Sequence, residues 1–154
     1  MASHGFNMHG QSGNSSPKPL RPDETLGISN VLLGLPLATA VFHNAGATEA
    51  QELGAILSIG AAHLRMFETA RQPIGEAASH VGFALAVDQD QFLSIAKLRA
   101  IRLLWQRVME LSGVSDAPRA SIHAETSFRM LSALDAETNI LRSTIAVFAA
   151  AAGG

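Results

Sequence analysis

The sequence predicts an α/β protein with a parallel sheet that forms part of a larger architecture. The chain alternates three times between a short apolar stretch and a capped amphipathic stretch, the pattern of consecutive strand and helix units. Three such units are too few to close a (β/α) barrel. We therefore expect three consecutive strand and helix units with parallel strands that belong to a larger architecture, on which function depends.

Composition limits the class of protein. With 154 residues, 47% of them hydrophobic, the chain can bury one core of ordinary size. Its 11 Lys and Arg against 13 Asp and Glu leave no surplus of positive charge for a phosphate backbone, so no nucleic-acid partner is expected. The absence of Cys favours a cytoplasmic protein. No apolar stretch approaches the roughly 20 residues that span a bilayer, so no membrane segment is expected.

Residues 1–27 are rich in Gly, Ser and Pro and poor in apolar side chains. Such a segment cannot offset the entropy of ordering, and we predict a flexible, disordered tail followed by one domain over residues 28–154. His4 and His9 lie in this tail without further metal-binding side chains beside them, so no metal site is predicted there.

The first unit begins with a predicted strand from Leu37 to Phe42, a run of small and β-branched residues. Thr48 and Gln51 have the spacing of a capping box and mark the start of a helix. Pro73 ends that helix or starts the next one, and residues 73–79 are expected to add one or two helical turns.

The second unit contains a strand from Gly82 to Val87, an N-cap at Asp88 and a helix that ends near Gly113. Apolar residues cover more than half of the circumference of this helix, which predicts burial on two sides. The predicted main stripe consists of Leu93, Ala96, Ala100, Leu103, Leu104, Val108 and Leu111, widened by Ile95, Leu98, Ile101 and Trp105.

The third unit has a strand from Ser121 to Ser127 and a helix capped by Asp135. We expect five apolar side chains of this helix to face the sheet: Ile140, Leu141, Ile145, Val147 and Phe148. Because side chains alternate along a strand, His123 and Glu125 share one face. An ionisable pair that faces inward needs partners, so His123 and Glu125 are the best site candidates from chemistry alone.

Four stretches resemble the methylmalonyl-CoA mutase family in their order and spacing. They are FHNAGATEAQEL (42–53), DQFLSIAKLRAIRLLW (90–105), HAETS (123–127) and TNILRSTIAVFAAAAGG (138–154). The resemblance implies a partial TIM-barrel-like architecture with parallel strands, in which the three units are consecutive parts of the TIM-barrel substrate domain of this family. Its active subunit uses adenosylcobalamin to interconvert methylmalonyl-CoA and succinyl-CoA, and some bacterial enzymes pair it with a smaller, non-catalytic subunit.

The resemblance also shows where this chain departs from catalytic members. Ala40 and Val41 stand where those members carry a Tyr-His pair, and His43 lies two positions after the expected His. Residues 80–83 read His-Val-Gly-Phe where catalytic members have Arg-Leu-Ser-Phe, whose Arg and Ser contact CoA. Glu125 replaces a Gln near the substrate, and its carboxylate would repel an acyl group that already carries one.

These departures imply a structural, non-catalytic role like that of the small subunit, with no catalytic residues. The sequence also contains no H-E-x-x-H motif, and no metal ligands are expected. The chain lacks the Asp-x-His-x-x-Gly run of the family's cobalamin domain, so it is not expected to bind cobalamin by itself. The expected partner is the catalytic subunit or a second copy, through open sheet edges. Two alternatives remain: a catalytic fragment that binds acyl-CoA through His43, His123 and Glu125, or a degenerate product without activity.

Overall fold

The computed structural model describes residues 37–154, and the predicted tail of residues 1–27 lies outside this range. The described residues form an α/β fold, as predicted, with a 3-10 turn at Phe128–Met130. In chain order the other elements are β1 (Leu37–Ala38), α1 (Ala40–Asn44), α2 (Glu49–Thr69), α3 (Ile74–Ser79), β2 (Gly82–Val87), α4 (Gln91–Leu111), β3 (Ser121–Thr126) and α5 (Ala136–Gly153).

The three strands form one open sheet in the order β1-β2-β3, and both pairs are parallel. Leu37 lies opposite Phe83 in the first pair, and Gly82 lies opposite Ser121 in the second. The sequence predicted parallel strands, since strands joined through helices on the sheet faces run in the same direction. The observed arrangement confirms this prediction. None of the described helices is long and apolar enough to cross a bilayer.

The first strand is shorter than predicted, because it ends at Ala38 rather than Phe42. The backbone N–H of Thr39 donates to Ala84, and the Thr39 carbonyl then accepts from the N–H of Phe42, which turns the chain into α1. Residues 40–44 are therefore helical. Side-chain pattern alone does not reveal this turn, since a short apolar run fits a buried strand and a buried helical turn equally well.

The start of α2 follows the prediction closely. The Thr48 hydroxyl accepts from the N–H of Gln51 at 3.4 Å, and the Gln51 side chain accepts from the N–H of Thr48 at 2.9 Å. This reciprocal capping box satisfies two backbone donors that the helix itself leaves unpaired. The buried face of α2 consists of Glu52, Ile56, Gly60, Leu64 and Phe67.

The start of α4 corrects a prediction. The N-cap is Asp90, whose carboxylate accepts from the N–H of Leu93 at 3.1 Å. The carboxylate of Asp88 accepts instead from the N–H of Asp90 at 2.9 Å and lies 3.3 Å from the Ser94 hydroxyl. Asp88 thus belongs to the loop at the end of β2 rather than to the helix.

The predicted main stripe of α4 was wrong, whereas Leu98, Ile101 and Trp105, which were predicted to widen it, are buried. Leu103 and Leu111 are 69% and 73% exposed, whereas Trp105 is buried and its ring meets that of Phe83 edge-on at 5.0 Å. A helix that is apolar on most sides does not specify by pattern which side faces the sheet. The buried positions are Ser94, Lys97, Leu98, Ile101, Trp105 and Met109.

The predicted sheet-facing side of α5 was wrong for the same reason. Its five predicted core residues are exposed, from 39% for Ile145 to 69% for Ile140. The helix instead turns Ala146, Ala149 and Gly153 inward. A Cβ at Gly153 would lie 3.0 Å from the Cα of Ile95, so α5 packs against α4 at a distance that only small residues permit.

A polar cluster at the carboxyl edge of the sheet

The carboxyl ends of three parallel strands meet at one edge of the sheet, which is where ligand sites of α/β proteins lie. Five side chains from this edge form what we call the carboxyl-edge cluster. They are His43, Glu49, Glu52, Asp88 and Lys97, contributed by the chain after β1, the start of α2, the end of β2 and the first half of α4.

The loops around the cluster are tied together by side chains. Asn44 accepts hydrogen bonds from the Ser127 hydroxyl and from the N–H of Phe128, both at 3.0 Å. Arg129 donates to the carbonyl oxygens of His43 at 3.1 Å and Ala47 at 3.3 Å. These bonds hold the chain after β1 against the chain after β3, and so they fix the position of the backbone that carries His43.

Glu52 is the central acceptor of the cluster. One carboxylate oxygen accepts from the backbone N–H of Ala86 at 2.9 Å, and the other binds the ammonium of Lys97 at 2.8 Å. Both residues are buried, with 0% and 3% of their surface exposed. Such a pair is tolerated only because each charge is matched and hydrogen-bonded. Glu52 also replaces the carbonyl that β1 would supply to Ala86 if that strand continued.

His43 lies between the acidic groups and is 1% exposed. Its Nδ1 is 3.8 Å from a Glu52 oxygen and 3.9 Å from a Glu49 oxygen, and its Nε2 is 3.7 Å from an Asp88 oxygen. Burial lowers the pKa of His43 below its ordinary value, and the positive charge of Lys97 lowers it further. The imidazole is therefore neutral at physiological pH, with a lone pair on one ring nitrogen.

The structure separates the three site residues that the sequence suggested. His43 lies in the carboxyl-edge cluster, whereas His123 and Glu125 are exposed on β3. They lie on the face opposite to Ile122 and Ala124, which pack against the core. Among residues 37–154, no ion pair or side-chain hydrogen bond involves His123 or Glu125, so nothing there joins them to His43.

Sequence reasoning missed the other members of the cluster. Glu52 lies on the same face of α2 as Ile56 and Gly60, and Lys97 is adjacent to Leu98 on the buried side of α4. A charged residue within an otherwise apolar helix face signals a buried pair when a second helix offers the opposite charge. That signal was present in the sequence, but its pairing required knowledge of which helices are neighbours.

The positions of the family's Tyr-His pair carry no titratable group here. Ala40 is buried in α1, and the apolar side chain of Val41 is 71% exposed. His80, at the position of the CoA-binding Arg, is exposed at the end of α3. The carboxyl edge therefore contains a buried acidic cluster but not the side chains that the resemblance assigns to catalysis.

Comparison with known proteins identifies the family. Its sequence profile, described as methylmalonyl-CoA mutase, matches residues 35–154. This chain belongs to the methylmalonyl-CoA mutase family. The resemblance seen in the four sequence stretches is thus confirmed over the whole of the described structure.

The identity of this chain to individual relatives is higher for small subunits than for a large subunit. The chain is 43% identical over 113 residues to a "Probable methylmalonyl-CoA mutase small subunit" of Mycobacterium tuberculosis, covering 73% of this chain and 18% of that protein. It is 43% identical over 123 residues to the small subunit of Streptomyces virginiae, covering 80% and 20%. The identity to the large subunit of Streptomyces virginiae is 33% over 111 residues, covering 71% and 15%. The chain thus spans at most a fifth of each relative.

Proposed function

We propose that this chain is part of a methylmalonyl-CoA mutase small subunit, in which it supplies three strand and helix units of a TIM-barrel substrate domain and has a structural, non-catalytic role. The observation that carries the proposal is the 43% identity to small subunits, against 33% to a large subunit. The architecture is compatible, because parallel strands backed by helices are the repeating unit of such a barrel.

The chemistry of the carboxyl edge supports a non-catalytic role. General acid or base catalysis needs a titratable group that reaches the substrate. Ala40 and Val41 provide none, and His43 is buried with its ring nitrogens facing carboxylates. On the exposed face of β3, Glu125 adds a negative charge where the substrate of catalytic members carries another.

The cofactor of the family, adenosylcobalamin, supplies radical chemistry when it is bound. The carboxyl edge does not fit an axial imidazole ligand for it, because His43 is 1% exposed and its ring nitrogens face carboxylates. The proposal therefore assigns the cofactor to the catalytic subunit and no step of the reaction to this chain. We propose a cytoplasmic location for this chain, which the absence of Cys from its sequence favours.

The surface of the molecule supports association with a partner. β3 has a strand partner on one side only among the described residues, which leaves one row of backbone donors and acceptors open. Large apolar side chains are also exposed in unusual number, a mark of interaction surfaces. The most exposed are Val41, Phe92, Leu103, Leu111, Phe128, Leu134, Ile140 and Leu141.

Co-purification with the large subunit of the same organism tests this function. We expect a stable complex by size-exclusion chromatography with light scattering, and unchanged mutase turnover when His123 is replaced by Asn. A chain that stays monomeric in the presence of the large subunit would contradict the proposal. So would loss of turnover in the His123→Asn complex, since that result requires a chemical role.

A substitution at the open edge sharpens the test. The N–H of Ser127 donates to Val87 of β2, and alternate residues of a strand point to opposite sides, so the N–H of Thr126 points away from β2. Thr126→Pro removes that outward donor, whereas Thr126→Val keeps it and serves as the matched control. If the edge pairs with the partner, the Pro variant binds the large subunit more weakly and the Val variant binds normally.

A second candidate function is acyl-CoA binding by this chain. The observation that favours it is the exposure of His123 and Glu125 on the face of β3 that points away from the helices. Titration with methylmalonyl-CoA in a calorimeter tests it directly. Glu125→Gln removes the repelling charge and restores the Gln of catalytic members, so tighter binding by this variant is expected. Absence of heat from both proteins at millimolar ligand rules this candidate out.

A further inference from the structure

We propose that His43, Glu49 and Asp88 bind a divalent transition-metal cation at the carboxyl edge of the sheet. This site is independent of the proposed subunit role, since it uses residues that the role does not require. It joins the chain after β1, the first turn of α2 and the end of β2 through one ion.

The geometry of the three side chains fits a single cation. One ligand atom from each residue lies within 4.8 Å of the other two. Imidazole and carboxylate ligands bind such ions at about 2.1 Å, so ligand atoms around one ion are about 3 to 4 Å apart. Shifts of about an ångström, within the reach of side-chain rotation, bring the three groups into one coordination sphere.

The buried imidazole is the second, independent observation. His43 is 1% exposed, and neither of its ring nitrogens has a hydrogen-bond partner among the described residues. Buried polar atoms of this kind are rare because each costs free energy when it is left without a partner. Both nitrogens point into the acidic cluster, with Nδ1 towards Glu49 and Glu52 and Nε2 towards Asp88.

The charges around the site also favour a cation. Glu49 and Asp88 form no ion pair with Lys or Arg in the described part of the chain, so they bring two uncompensated negative charges. Glu52 is already neutralised by Lys97 at 2.8 Å, which excludes it as a primary ligand. Arg129 is engaged with two backbone carbonyl oxygens rather than with the carboxylates.

The ligand set selects the class of metal. One imidazole with two carboxylates suits Zn²⁺, Mn²⁺, Fe²⁺ or Co²⁺ better than Ca²⁺ or Mg²⁺, which prefer oxygen ligands alone. The side chains of Glu49 and Asp88 are each 24% exposed, which gives the ion a path from solvent.

The surroundings of Asp88 resemble the supporting contacts of metal ligands. Its carboxylate accepts from the N–H of Asp90, and the Ser94 hydroxyl lies 3.3 Å away. Such contacts orient a ligating carboxylate and raise metal affinity. Glu52, 3.8 Å from Nδ1, lies on the side where its carboxylate would accept a hydrogen bond from the Nδ1–H when Nε2 binds the metal.

The test is calorimetric titration of the full chain with ZnCl₂ and with MnCl₂ in chelator-treated buffer. His4 and His9 are replaced by Ala in every sample, so that their imidazoles do not contribute. We expect one saturable site per chain for at least one of the two ions. Glu49→Gln and Asp88→Asn should each weaken it by at least about tenfold. Glu68→Gln, on the exposed side of α2, is the matched control and should bind as the parent does.

Thermal melting gives a second readout on the same proteins. A cation that binds only the folded chain raises the melting temperature, and the rise should vanish in Glu49→Gln and Asp88→Asn but not in Glu68→Gln. Because both ligand residues are partly exposed, their variants are expected to fold, which circular dichroism checks. No saturable binding of either ion to the parent overturns the proposal. Equal affinities in all three variants overturn it as well.

Discussion

β2 and β3 are strands of six residues each, paired in register along their whole length, yet they lie in different environments. β2 is buried at five of its six positions, whereas β3 is exposed at four. β2 has partners along both edges, since β1 pairs with its first half and Glu52 accepts from Ala86 beyond the end of β1. β3 has a strand partner on one edge only within the described chain.

This difference shows that position in the sheet, more than composition, decides how far a strand of this chain is buried and whether both of its edges have hydrogen-bond partners. Ala84 and Ala86 of β2 are directly opposite His123 and Glu125 of β3. Small residues at the centre suit a strand covered on both sides, and polar residues at the margin remain in contact with solvent. The stability of the isolated chain should therefore centre on β2, while β3 is available for interaction.

Amide hydrogen exchange should show the largest contrast. In β2 the N–H of Leu85 and Val87 is bonded and buried, and we expect exchange only through global unfolding, which costs about 5 to 15 kcal/mol in domains of this size. In β3 the outward amides of Ile122, Ala124 and Thr126 should exchange with almost no protection. Mass spectrometry or NMR on dilute protein measures both. Equal protection of inward and outward amides of β3 would mean that its edge is covered.

Breaking the buried pair of Glu52, which binds Ala86 of β2, and Lys97 should have the next largest effect, on the free energy of unfolding. Glu52→Gln leaves the Lys97 ammonium buried without its counter-charge, and we expect a loss of about 3 to 5 kcal/mol in the free energy of unfolding. The control is Glu110→Gln, which breaks the exposed pair with Arg107 at 3.0 Å and should cost less than about 1 kcal/mol. Urea denaturation measures both. Similar losses for the two variants would show that the Glu52 pair is hydrated.

A single methyl group added at Gly60 of α2, where the helix packs against Trp105 and Phe83, should lower the free energy of unfolding. A Cβ at Gly60 would lie 2.8 Å from the ring of Trp105 and 3.6 Å from that of Phe83. We expect Gly60→Ala to cost about 1 to 3 kcal/mol through overpacking. Gly54→Ala on the same helix meets no atom within 4 Å and should instead stabilise by about 0.5 to 1 kcal/mol. If both substitutions changed the free energy of unfolding in the same direction, the close packing of Trp105 against Gly60 would be contradicted.

The smallest effect is expected on the side of β3, at the cap of α5. Hydrogen bonds from Thr138, first from its hydroxyl and then from its N–H, lower the pKa of Asp135 below its ordinary value. A lowered pKa means that the ionised cap stabilises the fold above the unfolded pKa, and that this contribution disappears as the pH falls through the folded pKa. Asp135→Asn should therefore lower the melting temperature slightly at neutral pH and not in strong acid.

The control for this prediction is Asp116→Asn, in the exposed loop between α4 and β3. It should leave the melting temperature unchanged at both pH values. A difference between the parent and Asp135→Asn that persists unchanged in strong acid would mean that the charge of Asp135 does not contribute.

Local signals predicted a substantial part of this fold. The limits of β2, the capping box of Thr48 and Gln51, and the cap at Asp135 all follow from residues close in sequence, because a cap or a short buried strand is specified within a few positions. The parallel α/β class followed from the alternation of strands and helices. Family membership followed from stretches of sequence that the profile match then confirmed.

Tertiary structure decided what depends on distant residues. α4 and α5 are apolar on several sides. Which side is buried depends on contacts with segments distant in sequence, such as Gly153 with Ile95 and Trp105 with Phe83. Beyond the end of β1, a carboxylate from α2 accepts from Ala86 of β2, and His43 meets Asp88 only because the chain returns to the same edge of the sheet. Sequence determines local conformation through nearby backbone bonds and side-chain periodicity. Burial and electrostatics depend on which segments become neighbours, and that is settled when the chain packs.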